Sequence, residues 1–238
     1  MIKCVLFDLD GTLLPFDVRE FTNAYFTSLG RRIGHLIEPK SFAKHLLAST
    51  EVMVRNLDRE KTNQQVFSNH FFSTIGLSEE ILLPILNDFY EKDFSLLQKV
   101  TRKEDAARRV VTTVLNSGLE AVVATNPIFP MAATRQRLEW AGLGGIPFTL
   151  VTSYENSHFC KPNAEYYMEI AEFLGYRPEE CLMVGNDVEE DLIAGSIGMK
   201  TYLVTDCLIN SKGADIRADY IGTLGELAEN IGKIIKES

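Results

Sequence analysis

From residue 103 to its end, the chain alternates short apolar runs with helical patterns, and this alternation limits the possible folds more than any other feature. Helical stretches over 104–116, 131–141, 162–174, 189–197 and 224–235 separate apolar runs at 119–124, 148–151, 181–184, 201–204 and 219–221. Gly118, Gly142 and the Thr125-Asn126-Pro127 break punctuate them. Pro162 stands in the first turn of its predicted helix, where a missing N–H costs nothing. Another apolar run, Ile2-Lys3-Cys4-Val5-Leu6-Phe7, ends in Asp8 as a buried parallel strand would. Repeated strand–helix units with apolar strands predict an α/β fold, a parallel sheet with helices on both faces.

Between the first strand and residue 99 the pattern changes. Only helical spacings occur, such as Val18, Phe21, Tyr25, Phe26 and Leu29, or Ile81, Leu82, Ile85, Leu86 and Phe89. Breaks fall at Gly30, Gly34, Pro39 and Gly76, and Ser78 reads as an N-cap before Glu79 and Glu80. Four or five helices are expected. The domain expectation is therefore discontinuous: an α/β unit from 1–15 and 99–238, interrupted by a small all-helical unit over 16–98.

In a parallel α/β sheet, ligands bind outside the carboxyl ends of the strands, and three predicted strand ends carry polar residues. The first is Asp8-Leu9-Asp10-Gly11-Thr12. Two carboxylates two positions apart, partly desolvated, repel one another unless a cation neutralises them, and hard oxygen ligands suit Mg²⁺. Taken alone the segment is equally an ordinary Asp-Gly turn. The second end, Thr125-Asn126, offers a hydroxyl, an amide and backbone N–H groups to phosphate oxygens, or simply begins a turn. The third is Gly185-Asn186-Asp187, with Asp191 four residues on and on the same face of the predicted helix, where acids also stabilise the N-terminus. Lys161 precedes Pro162; alone it is a solvated lysine.

Together these four segments, in this order, resemble the haloacid dehalogenase-like hydrolase superfamily over nearly the whole chain. The resemblance implies a Rossmann-like core with a helical cap inserted after the first strand, and a Mg²⁺-dependent phosphatase. It assigns Asp8 as the nucleophile that becomes an aspartyl-phosphate, and Asp10 as the acid and base. Mg²⁺ would be held by Asp8, the Asp10 carbonyl and Asp187. Thr125, Asn126 and Lys161 would bind the phosphate, and Asp191 would orient Lys161 or a metal-bound water. An alignment with a five-residue interval to Asp191 would put Asn186, a neutral ligand, in the place of Asp187; the ionised oxygen is preferred because it better offsets dehydration of the cation. Relatives that dehalogenate or cleave phosphonates lack an acid at the place of Asp10, and the transporting ATPases carry lysine there.

The alternatives are a sugar phosphomutase of the β-phosphoglucomutase type and a catalytically silent binding protein on the same fold. The segment Phe16-Asp17-Val18-Arg19-Glu20 holds no His to activate a sugar hydroxyl, although His35, His45 and His70 follow. The formal net charge of −9 argues against nucleic acid and acidic membrane surfaces but not against a small phosphorylated substrate. No apolar run is long enough to span a bilayer or to form a signal-peptide core. Cys4, Cys160, Cys181 and Cys207 show no metal spacing and read as free thiols of a cytoplasmic protein, a monomer or weak homodimer. Phe42, Phe67, Phe71, Phe72, Phe89, Tyr90 and Phe94 have core spacing with a pocket as the alternative. Arg19, Arg55 and Arg59 could reach a second anionic group, with a solvated face as the simpler reading of each.

Overall fold

The computed structural model describes residues 1–237. Six parallel strands form one sheet: β1 (Cys4–Phe7), β2 (Glu120–Val123), β3 (Leu150–Val151), β4 (Cys181–Gly185), β5 (Lys200–Val204) and β6 (Tyr220–Gly222), in the order β3-β2-β1-β4-β5-β6. β1 lies between β2 and β4, with Phe7 level with Val123 on one side and Val184 on the other. The chain builds outward from β1 in one direction and then in the other, so the carboxyl end of β1 is the topological switch point.

Alternate strand residues feed two cores, as the pleat requires. Val5, Phe7, Val123 and Val184 pack beneath α5 (Asp105–Asn116) and α8 (Leu224–Glu237), whose buried stripes Val110, Val111, Val114 and Leu227, Ile231, Ile234 have helical spacing. Cys4, Leu6, Val122 and Met183 face α7 (Ala164–Leu174) through Tyr166, Tyr167 and Ile170. α6 (Met131–Trp140) adds Ala133, Leu138 and Trp140 to the first core.

Between β1 and α5 run α1 (Val18–Ile33), α2 (Pro39–Val54), α3 (Asn63–Thr74) and α4 (Glu79–Asp88), with no strand. Their starts are legible: Asp17 accepts the amides of Arg19 and Glu20, and Thr62 with Gln65 forms a capping box. Ser78 occupies the N-cap position of α4 without a side-chain cap bond. After α4 the chain winds through a short π-helix at Phe89–Asp93 and a 3-10 segment at Phe94–Val100. The chain leaves and re-enters the α/β layer side by side: Phe16 bridges Thr101, and the Arg102 amide donates to the Pro15 carbonyl at 2.9 Å. The insert is also tied to the loop before α7, where the Asn63 amide donates to the Ser157 carbonyl at 2.8 Å and Asn163 Nδ2 to the Val54 carbonyl at 2.7 Å.

Two predicted helices are corrected. Pro162 lies outside α7, which begins at Ala164 after Asn163. Residues 189–191 are a turn, and only Leu192–Ile197 coils, as a 3-10 segment. There the Asp187 carboxylate takes the amides of Glu189 and Glu190 at 2.7 and 2.9 Å, and Asp191 takes the Asp187 amide at 2.9 Å. Side chains that capture nearby amides in this way compete with helical bonding. All four cysteines are free thiols, three of them buried. Among the described residues, no helix is long and apolar enough to cross a membrane.

Candidate active site at the switch point

Asp8 follows β1, and its amide donates to the Val184 carbonyl, which holds the residue against β4. Gly11 turns the chain at φ +86°, and a Cβ there would lie 2.5 Å from Asn186 Nδ2; only glycine fits. The loop thus drops onto the end of β4. The Thr12 hydroxyl sits 2.8 Å from Asn186 Oδ1 and 3.1 Å from Asp8 Oδ2, and its single proton serves one acceptor at a time. Asn186 is oriented by donating Nδ2 to the Cys207 carbonyl at 2.7 Å.

Lys161 is buried, with Nζ 2.8 Å from Asp8 Oδ1 and 2.6 Å from Asp191 Oδ1. Gly185 makes this possible, because a Cβ there would lie 2.1 Å from Asp191 Oδ2. Burial would lower the Lys161 pKa, but Asp191 and Asp8 overrule it and hold the ammonium well above its ordinary range. Burial pushes the Asp8 carboxyl up to about 7 against the pull of Lys161, with Asp191 adding to the rise. Thr125 is buried at the end of β2, its carbonyl taking bonds from Thr152 Oγ1 and Tyr166 Oη, both at 2.8 Å. Asn126 Nδ2 donates to Glu190 at 3.1 Å, while Asn126 Oδ1 is buried without a partner.

All eight candidates from the sequence therefore gather around the ends of β1, β2 and β4. Three contributors were not foreseen. Thr12 links Asp8 to Asn186. Glu190, raised to about 7 by burial, faces the same space. Arg137, fully buried on α6, forms an ion pair with Asp10 Oδ2 and lies 4.8 Å over the Phe129 ring. The only signal for Arg137 was its place on the buried stripe between Thr134 and Trp140. Asp10 keeps 27% of its side chain exposed toward the cavity, and burial raises its pKa while Arg137 and Lys161 oppose the rise.

The donor set suits a hard divalent cation. Five carboxyl groups (Asp8, Asp10, Asp187, Glu190 and Asp191) line one cavity beside the two cations Lys161 and Arg137. Asp10 Oδ1 is buried with no hydrogen-bond partner. Among the described residues, no three acidic, His or Cys side chains converge closely enough to hold a metal unaided. A backbone carbonyl and waters would have to complete the shell, which is how Mg²⁺ is usually held.

A family profile described as haloacid dehalogenase-like hydrolase matches residues 2–196. The chain belongs to that family. Relatives of the chain include the pyrimidine 5'-nucleotidase of Streptococcus pneumoniae, 27% identical over 82% of this chain and 79% of its own length. The ribulose-1,5-bisphosphate 5-phosphatase of Halopiger xanaduensis is 25% identical over 96% of this chain and 99% of its own. Among solved structures, a HAD phosphatase from Thermococcus onnurineus superposes with a TM-score of 0.57 at 23% identity, covering 97% and 98% of the two chains. That likeness speaks for the fold.

Proposed function

We propose that this haloacid dehalogenase-like hydrolase is a Mg²⁺-dependent phosphatase acting on a small phosphorylated metabolite through an aspartyl-phosphate on Asp8. The observation that carries the reading is the buried Lys161 ammonium between Asp8 and Asp191 at the sheet's switch point. It opposes the rise that burial imposes on the Asp8 carboxyl and holds that carboxyl aimed at a cavity, as a nucleophile requires. The two relatives named above act on a nucleotide and on a sugar bisphosphate, and their common chemistry is hydrolysis of a phosphate ester.

An Asp8 oxygen attacks phosphorus, the bond to the leaving oxygen breaks, and Asp10 supplies that oxygen with a proton. Asp10 then takes a proton from water as the water attacks the acyl phosphate, and cleavage of the P–O bond to Asp8 releases phosphate. Arg137 holds Asp10 in place for both transfers. Thr125 and Asn126 grip phosphate oxygens, and Lys161 offsets charge as it builds on them. Asp8, the Asp10 carbonyl and an oxygen of the Asn186-Asp187 turn would hold Mg²⁺. When bound, the ion relieves repulsion between the nucleophile and the anionic phosphate. Sequence reasoning put Asp187 first on charge; the packing favours Asn186. Asp187 commits Oδ1 to two amides and has only Oδ2 left, whereas Asn186 Oδ1 stands beside Asp8, the two sharing the Thr12 hydroxyl.

Residues 16–98 act as a cap over the core formed by 1–15 and 99–238. Supporting this, the cavity is walled by α1–α4 on one side and by the strand ends on the other, and paired adjacent connections suit a hinge. Among the described residues, no histidine lines the cavity, so none stands there to activate a sugar hydroxyl in place of water. The test is Asp8→Asn with rapid quenching of the wild type. Turnover should fall to background, and the wild-type Asp8 peptide should gain the mass of a phosphoryl group. An active Asp8→Asn enzyme that has not deamidated would overturn the assignment.

A further inference from the structure

Above the carboxylates the cavity opens into a chamber whose walls are unlike its floor. Floor and chamber together hold about 480 Å³, within the range of pockets that enclose small organic ligands. Its walls include Phe26 on α1, Leu46 on α2, Phe67 and Phe72 on α3, Leu86 on α4, and Phe129. These six side chains are only partly buried, so a good part of their apolar surface is left for an occupant. Val18 and Leu47 also line the chamber while 46% and 55% exposed, so the apolar wall continues out to solvent.

Charge is confined to the floor. No Lys, Arg or His is among the lining residues. The two nearby cations are already engaged: Lys161 with Asp8 and Asp191, and Arg137 with Asp10. Of the arginines that could reach a second anion, Arg55 pairs with Glu51 and Arg59 with Glu172, both at the surface, and Arg19 is exposed and outside the lining. A second phosphate or a carboxylate in the chamber would lose its hydration without a counter-charge. Hydroxyl-rich groups fare little better. The Tyr25 and Tyr90 hydroxyls bond each other at 2.9 Å, and Thr50 donates to its own helix at the Leu46 carbonyl at 3.0 Å. Thr22, Ser68, Asn87 and Tyr154 add only scattered polar groups to a mainly apolar wall, so a hydroxyl-rich occupant would bury much of its polar surface against hydrocarbon.

We infer that the substrate is a phosphate monoester of an uncharged, mainly apolar alcohol, aryl or alkyl, whose hydrocarbon lies in this chamber. This rests on the phosphatase reading and adds the class of leaving group. Burial of each methylene is expected to raise kcat/KM about fourfold.

The experiment measures Mg²⁺-dependent kcat/KM for ethyl, butyl and hexyl phosphate, kept below aggregating concentrations, beside naphthyl phosphate, 2-phosphoglycolate and ribose 5-phosphate. Hexyl phosphate is expected to exceed ethyl phosphate on the order of 100-fold if the four added methylenes enter the chamber. Naphthyl phosphate should exceed both the acidic and the sugar ester. Phe26→Ser and Leu86→Ser should each lower the hexyl-to-ethyl ratio severalfold, and a ratio taken on one preparation is unaffected by how much of it folds. A flat alkyl series, or preference for the acidic or sugar ester, in an enzyme that turns over would overturn the inference alone. Absence of hydrolysis for every ester would instead defeat the phosphatase reading. The chamber is then judged by calorimetric binding of ethyl- and hexylphosphonate, where affinity independent of chain length overturns the inference.

Discussion

Lys161→Met removes the one buried cation between Asp8 and Asp191 while nearly conserving side-chain length. In the wild type, Nζ lies 2.8 and 2.6 Å from the two carboxylates, and all three groups are buried. Removing one partner of a buried ion pair costs about 3–5 kcal/mol, because charge is left without compensation. Here the low end applies, since a carboxyl left alone can take up a proton. A loss of about 3 kcal/mol corresponds to a fall in melting temperature of roughly 6–12 °C for a chain of this size. The loss must also depend on pH. Burial already raises Asp8 above its ordinary 3.8, and losing the ammonium in the variant raises it further. A carboxyl whose pKa is raised by folding stabilises the fold at low pH and loses that contribution as pH climbs through the raised value. The deficit should therefore be small near pH 4 and grow toward pH 8. Thermal unfolding of metal-free protein at pH 4.5, 6 and 8 checks this. A deficit that is equal at all three values, or largest at the lowest, would refute the picture of a charged lysine compensating two buried carboxylates.

Other expectations follow from the same geometry. Asn186→Ala should raise the Mg²⁺ concentration for half-maximal activity more than Asp187→Ala does; the reverse order would return direct coordination to Asp187. Arg137→Met frees Asp10, so turnover should fall about tenfold or more for alkyl phosphates and less for p-nitrophenyl phosphate, whose leaving group needs little protonation. An equal loss for both would mean that Arg137 does not act through Asp10. Ile231→Ala, in the fully buried stripe of α8 beyond the family match, should cost about 2–5 kcal/mol in urea unfolding, and a loss under 1 kcal/mol would mean that α8 is only loosely packed.

Much of this protein follows from its sequence alone, because local spacing and chain direction carry the information. The apolar runs around Val5, Val122 and Met183, separated by helical stretches, specify parallel strands. Parallel strands end on one side, so Asp8, Thr125 and Asn186 had to meet. The helical spacing of residues 18–89 likewise declares an insert without strands. What sequence could not decide depends on packing between distant segments. Arg137 meets Asp10 across 127 positions, and in isolation it reads as one more charge on a helix. The start of the helix expected at 189–197 gave way because Asp187 and Asp191 captured amides in a turn drawn toward Lys161. Phe67, Phe72 and Tyr90 line the chamber, Phe42, Phe89 and Phe94 fill the core, and Phe71 does both, although all seven share core-like spacing. Periodicity marks which face of a helix leaves water; whether that face meets another helix or an open chamber is decided only when the helices assemble.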